Sequence, residues 1–142
     1  MRKINDILRQ CDVIEVIGDD SRYVSGLAFD SRKCSEGMAF FAIKGTQVDG
    51  HDFIDRVIEQ GCKTVVCEHI SGILKDDVTY YVVGNTAKTL GYAASEFYGR
   101  PSEKLRLVGV TGTNGKTTIA TLLYRLFSNA GYPCGLLSTI EN

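Results

Sequence analysis

Apolar residues in this chain fall into short clusters separated by polar, glycine-containing stretches, and their spacing alternates between periods of two and about 3.6. Ile4, Ile7 and Leu8 are spaced as on one face of a short helix. Runs 13–17 and 26–29, around the turn Gly18-Asp19-Asp20, read as strands, and so does 38–43. Over 52–60, Phe53, Ile54, Val57 and Ile58 line one helical face and Gly61 supplies the stop. The apolar run 63–67 predicts a strand buried on both faces. Strand 79–83 then leads into a second helix, with Ala87, Leu90, Gly91, Ala94, Phe97 and Tyr98 on its expected inner face and Gly99 and Pro101 ending it.

The polar stretch Gly99-Arg100-Pro101-Ser102-Glu103-Lys104 holds two helix breakers and predicts a linker, dividing the chain into domains 1–101 and 102–142. Beyond it come a strand at 105–110, a helix burying Ile119, Leu122, Leu123, Leu126, Phe127 and Ala130, a stop at Gly131 and Pro133, and a further strand begun by Leu136 and Leu137. Alternating strands and helices predict an α/β protein, a small N-terminal α/β domain followed by the first strand–loop–helix unit of a parallel-sheet domain. About 40 residues cannot supply the several parallel strands such a domain needs, so the second domain is expected to be truncated.

The loop at that strand–helix junction is the sharpest chemical signal. Thr111-Gly112-Thr113-Asn114-Gly115-Lys116-Thr117-Thr118 follows an apolar run and opens a helical pattern, as a phosphate-binding loop does. Its glycines allow a tight turn that aims amide N–H groups at phosphate oxygens, the helix terminus adds positive dipole, and Lys116 adds a full charge. Thr117 is the expected Mg²⁺ ligand. Val110 stands where the commonest form of the loop has its first glycine, so the match is to a shorter variant. The alternative is an ordinary glycine-rich turn, which has little need of Lys116 and two threonines.

Composition narrows the rest. The chain has 142 residues, 44% hydrophobic and 23% charged, which suits a soluble globular protein, and a net charge of -1 argues against a nucleic-acid or membrane surface. No run approaches the roughly 18 apolar residues of a membrane span, and Met1-Arg2-Lys3-Ile4-Asn5-Asp6 lacks the core of a signal peptide, so a cytoplasmic location is expected. Cys11, Cys34, Cys62, Cys67 and Cys134 are scattered without metal-ligand spacing and read as reduced, mostly buried thiols. His69 reads as a surface or strand-end residue.

Two loops after strands are unusually rich in polar residues and glycine: Phe29-Asp30-Ser31-Arg32 and Lys44-Gly45-Thr46-Gln47-Val48-Asp49-Gly50-His51-Asp52. Ser31, Thr46 and Gln47 offer donors and acceptors for a base or ribose, and Arg32 and Lys44 offer charge for phosphate. The same residues also suit plain turn chemistry, with Asp30 and Ser31 capping a turn and Asp49 or Asp52 capping a helix. His51 fits a structural role at the helix start better than ligand contact.

Taken in order, Asp30-Ser31-Arg32, the string from Lys44 to Phe53 and the loop from Thr111 to Thr118 resemble the Mur ligases of peptidoglycan synthesis. The resemblance covers essentially the whole chain, as the uridine-nucleotide domain and the start of the central ATPase domain of a three-domain family. The phosphate loop and the Gln-Val-Asp-Gly string favour the branch adding the third residue of the stem peptide over the D-Ala-D-Ala-adding branch. The resemblance implies UDP against Phe29, Ser31, Thr46, Gln47 and Val48, and ATP phosphates on Gly112, Thr113, Asn114, Gly115, Lys116, Thr117 and Thr118, with Lys116 catalytic and Thr117 on Mg²⁺. Position 29 is often Leu in the family and position 46 often His, departures that backbone contacts tolerate.

The implied reaction passes the ATP γ-phosphoryl group to the D-Glu carboxylate of a UDP-N-acetylmuramoyl dipeptide, and the amine of diaminopimelate or lysine then attacks the acyl phosphate. The implied partners are that nucleotide substrate and an amino acid, in a monomeric enzyme that binds neither nucleic acid nor membrane. The residues choosing the amino acid, the remaining metal ligands and a carbamylated lysine are expected beyond Asn142, leaving this portion inactive by itself. Two other readings are a nucleotide-binding module without catalysis and a folylpolyglutamate-type ligase. Both leave the polar loops of the first domain without a purpose.

Overall fold

A computed structural model describes residues 1–70 and 72–138. The chain divides into two compact units, Met1–Lys104 and Leu105 onward.

In the first unit, five strands form one sheet: β2 (Val13–Ile17), β4 (Gly26–Ala28), β5 (Met38–Phe41), β6 (Thr64–Cys67) and β7 (Thr79–Val83). Their order across the sheet is β2-β7-β6-β5-β4. Neighbours from β4 to β7 are parallel and the edge strand β2 runs antiparallel to β7. A separate antiparallel pair joins β1 (Arg2–Lys3) to β3 (Tyr23–Val24), two-residue strands that periodicity cannot detect.

The register explains the two cores. Phe40, Val65 and Tyr80 stand in line across β5, β6 and β7, and Phe41, Val66 and Tyr81 stand in line one residue on. Side chains alternate along a strand, so each line faces its own side of the sheet. The first line packs with Ile54, Val57 and Ile58 of helix α2 (Ile54–Glu59). The second packs with Ile4 and Ile7 of α1 (Ile4–Ile7) and with Ala93 of α3 (Thr86–Phe97). Helices on both faces are why the inner strands read as continuous apolar runs.

Three expectations need correction. The inner face of α3 is Thr86, Thr89, Leu90, Ala93 and Phe97, whereas Ala87, Gly91 and Tyr98 are exposed. The Thr89 hydroxyl donates to the Asn85 carbonyl at 2.8 Å, which satisfies it locally and lets its methyl group be buried. In the second unit, 105–110 is not a strand, nor are Leu136 and Leu137, because the described residues there contain the single helix α4 (Lys116–Asn129) and no strand to pair with. For the same reason Ile119, Leu122, Leu126 and Phe127 on α4 are exposed rather than buried.

No helix among the described residues is long and apolar enough to cross a membrane. All five cysteines are free thiols, with Cys34, Cys62 and Cys67 buried, Cys11 half-buried and Cys134 exposed. Burial pushes the Cys67 thiol up to about 11, which fits a packing role rather than a nucleophilic one.

Candidate functional site

The second unit carries the glycine-lysine-threonine loop at the start of its helix. Gly115 caps α4 with φ 75°, a left-handed conformation natural to glycine, and the first helical bond runs from the Ile119 N–H to the Gly115 carbonyl at 2.9 Å. The amides of Lys116, Thr117 and Thr118 therefore precede the intrahelical ladder and project from the positive end of a 14-residue helix. The Lys116 side chain turns back over the loop, where its ammonium donates to the Gly112 carbonyl at 2.5 Å and the Thr113 carbonyl at 3.3 Å. Thr117 is partly buried, and Gly112, Thr113, Asn114 and Thr118 are exposed. The result is a cationic rim of amides and one ammonium with a hydroxyl beside it.

In the first unit, β4 and β5 are parallel neighbours, so the loops that follow them leave the same edge of the sheet. After β4, Asp30 organises the turn. Its Oδ1 accepts from the Arg32 amide at 3.0 Å and from Arg32 Nε at 2.9 Å, and its Oδ2 accepts from Arg32 Nη2 at 2.8 Å. These hydrogen bonds and the adjacent guanidinium hold the Asp30 carboxyl at about 2. Arg32, whose side chain is otherwise exposed, is thereby paired with Asp30. Ser31 is buried, its hydroxyl makes no hydrogen bond among the described residues, and Phe29 lies exposed beside it.

After β5 the chain makes a short hairpin. Lys44 pairs with Asp49, the Gly45 amide donates to the Val48 carbonyl at 3.0 Å, and the Gly50 amide donates to the Ile43 carbonyl at 2.8 Å. Thr46 and Gln47 form its tip, with Val48 beside them, and all three are exposed. Gly50 is required by contact, since a Cβ there would stand 2.6 Å from the Ile43 nitrogen and 2.7 Å from its oxygen.

The hairpin is anchored through His51, which is 3% exposed. The Glu68 amide donates to His51 Nε2 at 2.9 Å, so Nδ1 carries the proton and donates to Asp49 Oδ1 at 2.6 Å. Asp49 also caps the 3₁₀ turn Gly50–Phe53, accepting from the His51 amide at 3.0 Å. Both bonds hold the Asp49 carboxyl below the usual carboxylate range, the amide more strongly than the ring. His69 stacks on His51, ring centroids 4.2 Å apart and 11° from parallel. The structural reading of His51 is what the geometry shows. The roles of Glu68 and His69 were invisible in sequence, because only the fold brings the end of β6 to the hairpin.

Polar loops at the carboxyl edge of an α/β unit, followed by a Gly-Lys-Thr-Thr loop that opens the helix of the second unit, define an α/β protein carrying a phosphate-loop sequence. The family described as "Mur ligase family, catalytic domain" matches residues 17–98, and "Mur ligase middle domain" matches 110–142. The chain belongs to the Mur ligase family. It is 51% identical over 140 residues to the UDP-N-acetylmuramoyl-L-alanyl-D-glutamate--2,6-diaminopimelate ligase of Phocaeicola vulgatus, an alignment covering 99% of this chain and 29% of that protein. The chain thus spans less than a third of its relative's length.

Solved structures show the same fold. MurF from Acinetobacter baumannii aligns with a TM-score of 0.59 at 29% identity, over 75% of this chain and 22% of that one. MurF ligase from Thermotoga maritima, solved in complex with ADP, aligns at 0.54 and 33% identity over 76% and 23%.

Proposed function

We propose that this chain is the front portion of an ATP-dependent, ADP-forming amide ligase that adds meso-diaminopimelate to UDP-N-acetylmuramoyl-L-Ala-D-Glu in peptidoglycan synthesis. One observation carries the reading: 51% identity along 99% of the chain to a ligase named for that substrate and amino acid. The loop geometry supports it, since a helix terminus with three projecting amides and an ammonium suits a triphosphate.

In this reading Gly112, Thr113, Asn114, Gly115, Lys116, Thr117 and Thr118 cradle the phosphates. Lys116 leaves the Gly112 and Thr113 carbonyls to neutralise charge on the transferred phosphoryl group, so its present bonds mark the reach of its ammonium along the loop. The Thr117 hydroxyl would supply one ligand for Mg²⁺, an ion that would offset phosphate charge. Uridine nucleotide binds at the carboxyl edge of the first unit against Phe29, Ser31, Thr46, Gln47 and Val48. The Ser31 hydroxyl, unbonded among the described residues, and the exposed hairpin tip suit it. No protein nucleophile is needed: the substrate's carboxylate takes the γ-phosphoryl group and the incoming amine displaces phosphate. Both ligands are soluble metabolites, and we assign the enzyme to the cytoplasm as a monomer.

The test is product formation by the full-length parent. ADP release that depends on the UDP-linked dipeptide and on meso-diaminopimelate, and that fails with lysine, supports the assignment. Release with lysine alone, or without the dipeptide, overturns it.

A further inference from the structure

We propose that His51 is a positioning residue for the uridine-nucleotide site: its ring, bridging the Asp49 carboxylate and the Glu68 amide, fixes the hairpin that presents Thr46, Gln47 and Val48. The inference rests on the assignment of that hairpin tip to uridine-nucleotide binding.

Packing cannot hold the tip in place, because Thr46, Gln47 and Val48 are all exposed. Backbone bonds close the hairpin on itself and to Ile43, at the base of the same loop. Its side-chain tether to another strand is the bridge Asp49–His51–Glu68, which reaches the end of β6. Glu68 is itself fixed, since its Oε1 accepts from the Thr86 amide at 3.0 Å at the start of α3. A rigid path thus runs from α3 through β6 to the loop that follows β5.

The bridge needs a group that donates on one side and accepts on the other, at fixed spacing, while buried. Neutral imidazole does this and carries no charge to desolvate. Its stacked partner His69 covers the ring without competing for either nitrogen. A tip held this way loses little freedom when a ligand docks, so the bridge acts on affinity rather than on chemistry at the phosphate loop.

The test is calorimetric titration of the 142-residue chain with UDP, comparing wild type, His51→Ala, His51→Gln, Asp49→Ala and the Asp49→Ala/His51→Ala pair. We expect the two single Ala variants each to lose roughly tenfold in affinity, with the double variant no weaker than the worse single. Gln, which restores the acceptor towards Glu68 but not the bond to Asp49, should fall between. In the full-length parent, KM for the uridine substrate should rise in Asp49→Ala while kcat and KM for ATP stay level, a split that general loosening of the fold would not give; Asp49→Asn, which keeps the Oδ1 acceptor, should restore most of the affinity. If His51→Ala fails to fold, Asp49→Ala and the ring's ¹⁵N spectrum carry the test, with a neutral, Nδ1-protonated tautomer expected for His51. Wild type that binds UDP, with Ala variants that bind it equally well, overturns the positioning role alone. Wild type that ignores UDP overturns the uridine assignment beneath it.

Discussion

At the scale of single residues, the two loops have different characters. Lys116 is exposed and bonded only to loop carbonyls, so Lys116→Ala should leave the melting temperature of the chain within about a degree or two while abolishing ATP turnover in the full-length parent. Normal turnover in that variant would remove the phosphate-loop role. Ser31 is buried with its hydroxyl unbonded among the described residues, so Ser31→Ala should barely change stability yet weaken UDP binding by about 1–2 kcal/mol in a calorimetric titration. Asp30 offers a pH test. Its carboxyl is lowered in the folded state to about 2, so its support of the turn is complete above the ordinary carboxylate value and fades as pH falls towards about 2. A side-chain NMR titration of Asp30 should therefore show its midpoint near that value, and a midpoint near 4 would mean the Arg32 contacts do not persist in solution. Among these residues the turn that opens α4 was legible, because its Gly-Lys-Thr-Thr string is local in sequence. The pairing of Arg32 with Asp30 was not, since it appears only in side-chain geometry.

At the scale of elements, the buried parallel strands were the most readable, because burial on both faces leaves a run such as Thr64–Cys67 apolar nearly throughout. Truncating one of them should be costly. Phe40→Ala empties a fully buried site between β4 and β6 and should lower stability by about 3–5 kcal/mol in chemical denaturation. A loss below about 1 kcal/mol would show that the core is not packed as described. The inner face of α3 was misread because Thr86 and Thr89 look polar in sequence, whereas the local bond from Thr89 to Asn85 lets that hydroxyl be buried. Run 105–110 forms no ladder among the described residues, which hold no neighbouring strand in that unit. Its apolar pattern is real, but a strand exists only through hydrogen bonds to a neighbour, which pattern cannot supply. Gly50 tests the hairpin as an element, since Gly50→Ala drives a methyl group into the Ile43 backbone and should destabilise the first unit by about 1–3 kcal/mol.

At the scale of the molecule, two compact units share one chain. Met1–Lys104 has a sheet covered on both faces, while the unit from Leu105 leaves the apolar residues of α4 in solvent. A chain ending at Lys104 should therefore keep the thermal transition of the longer one, and loss of cooperative unfolding would show that the first unit depends on the second for its stability. Family membership places the two units in sequence order, and the first unit is where the substrate-binding claim stands or falls. The most direct measurement is calorimetric titration of the 142-residue chain with UDP-N-acetylmuramoyl-L-Ala-D-Glu, with UDP and ADP alongside. Saturable binding of both uridine ligands, lost in a Ser31→Ala/Gln47→Ala double variant, is the expected result. Binding of ADP with no response to either uridine ligand would contradict the assignment of the first unit to the uridine-nucleotide substrate.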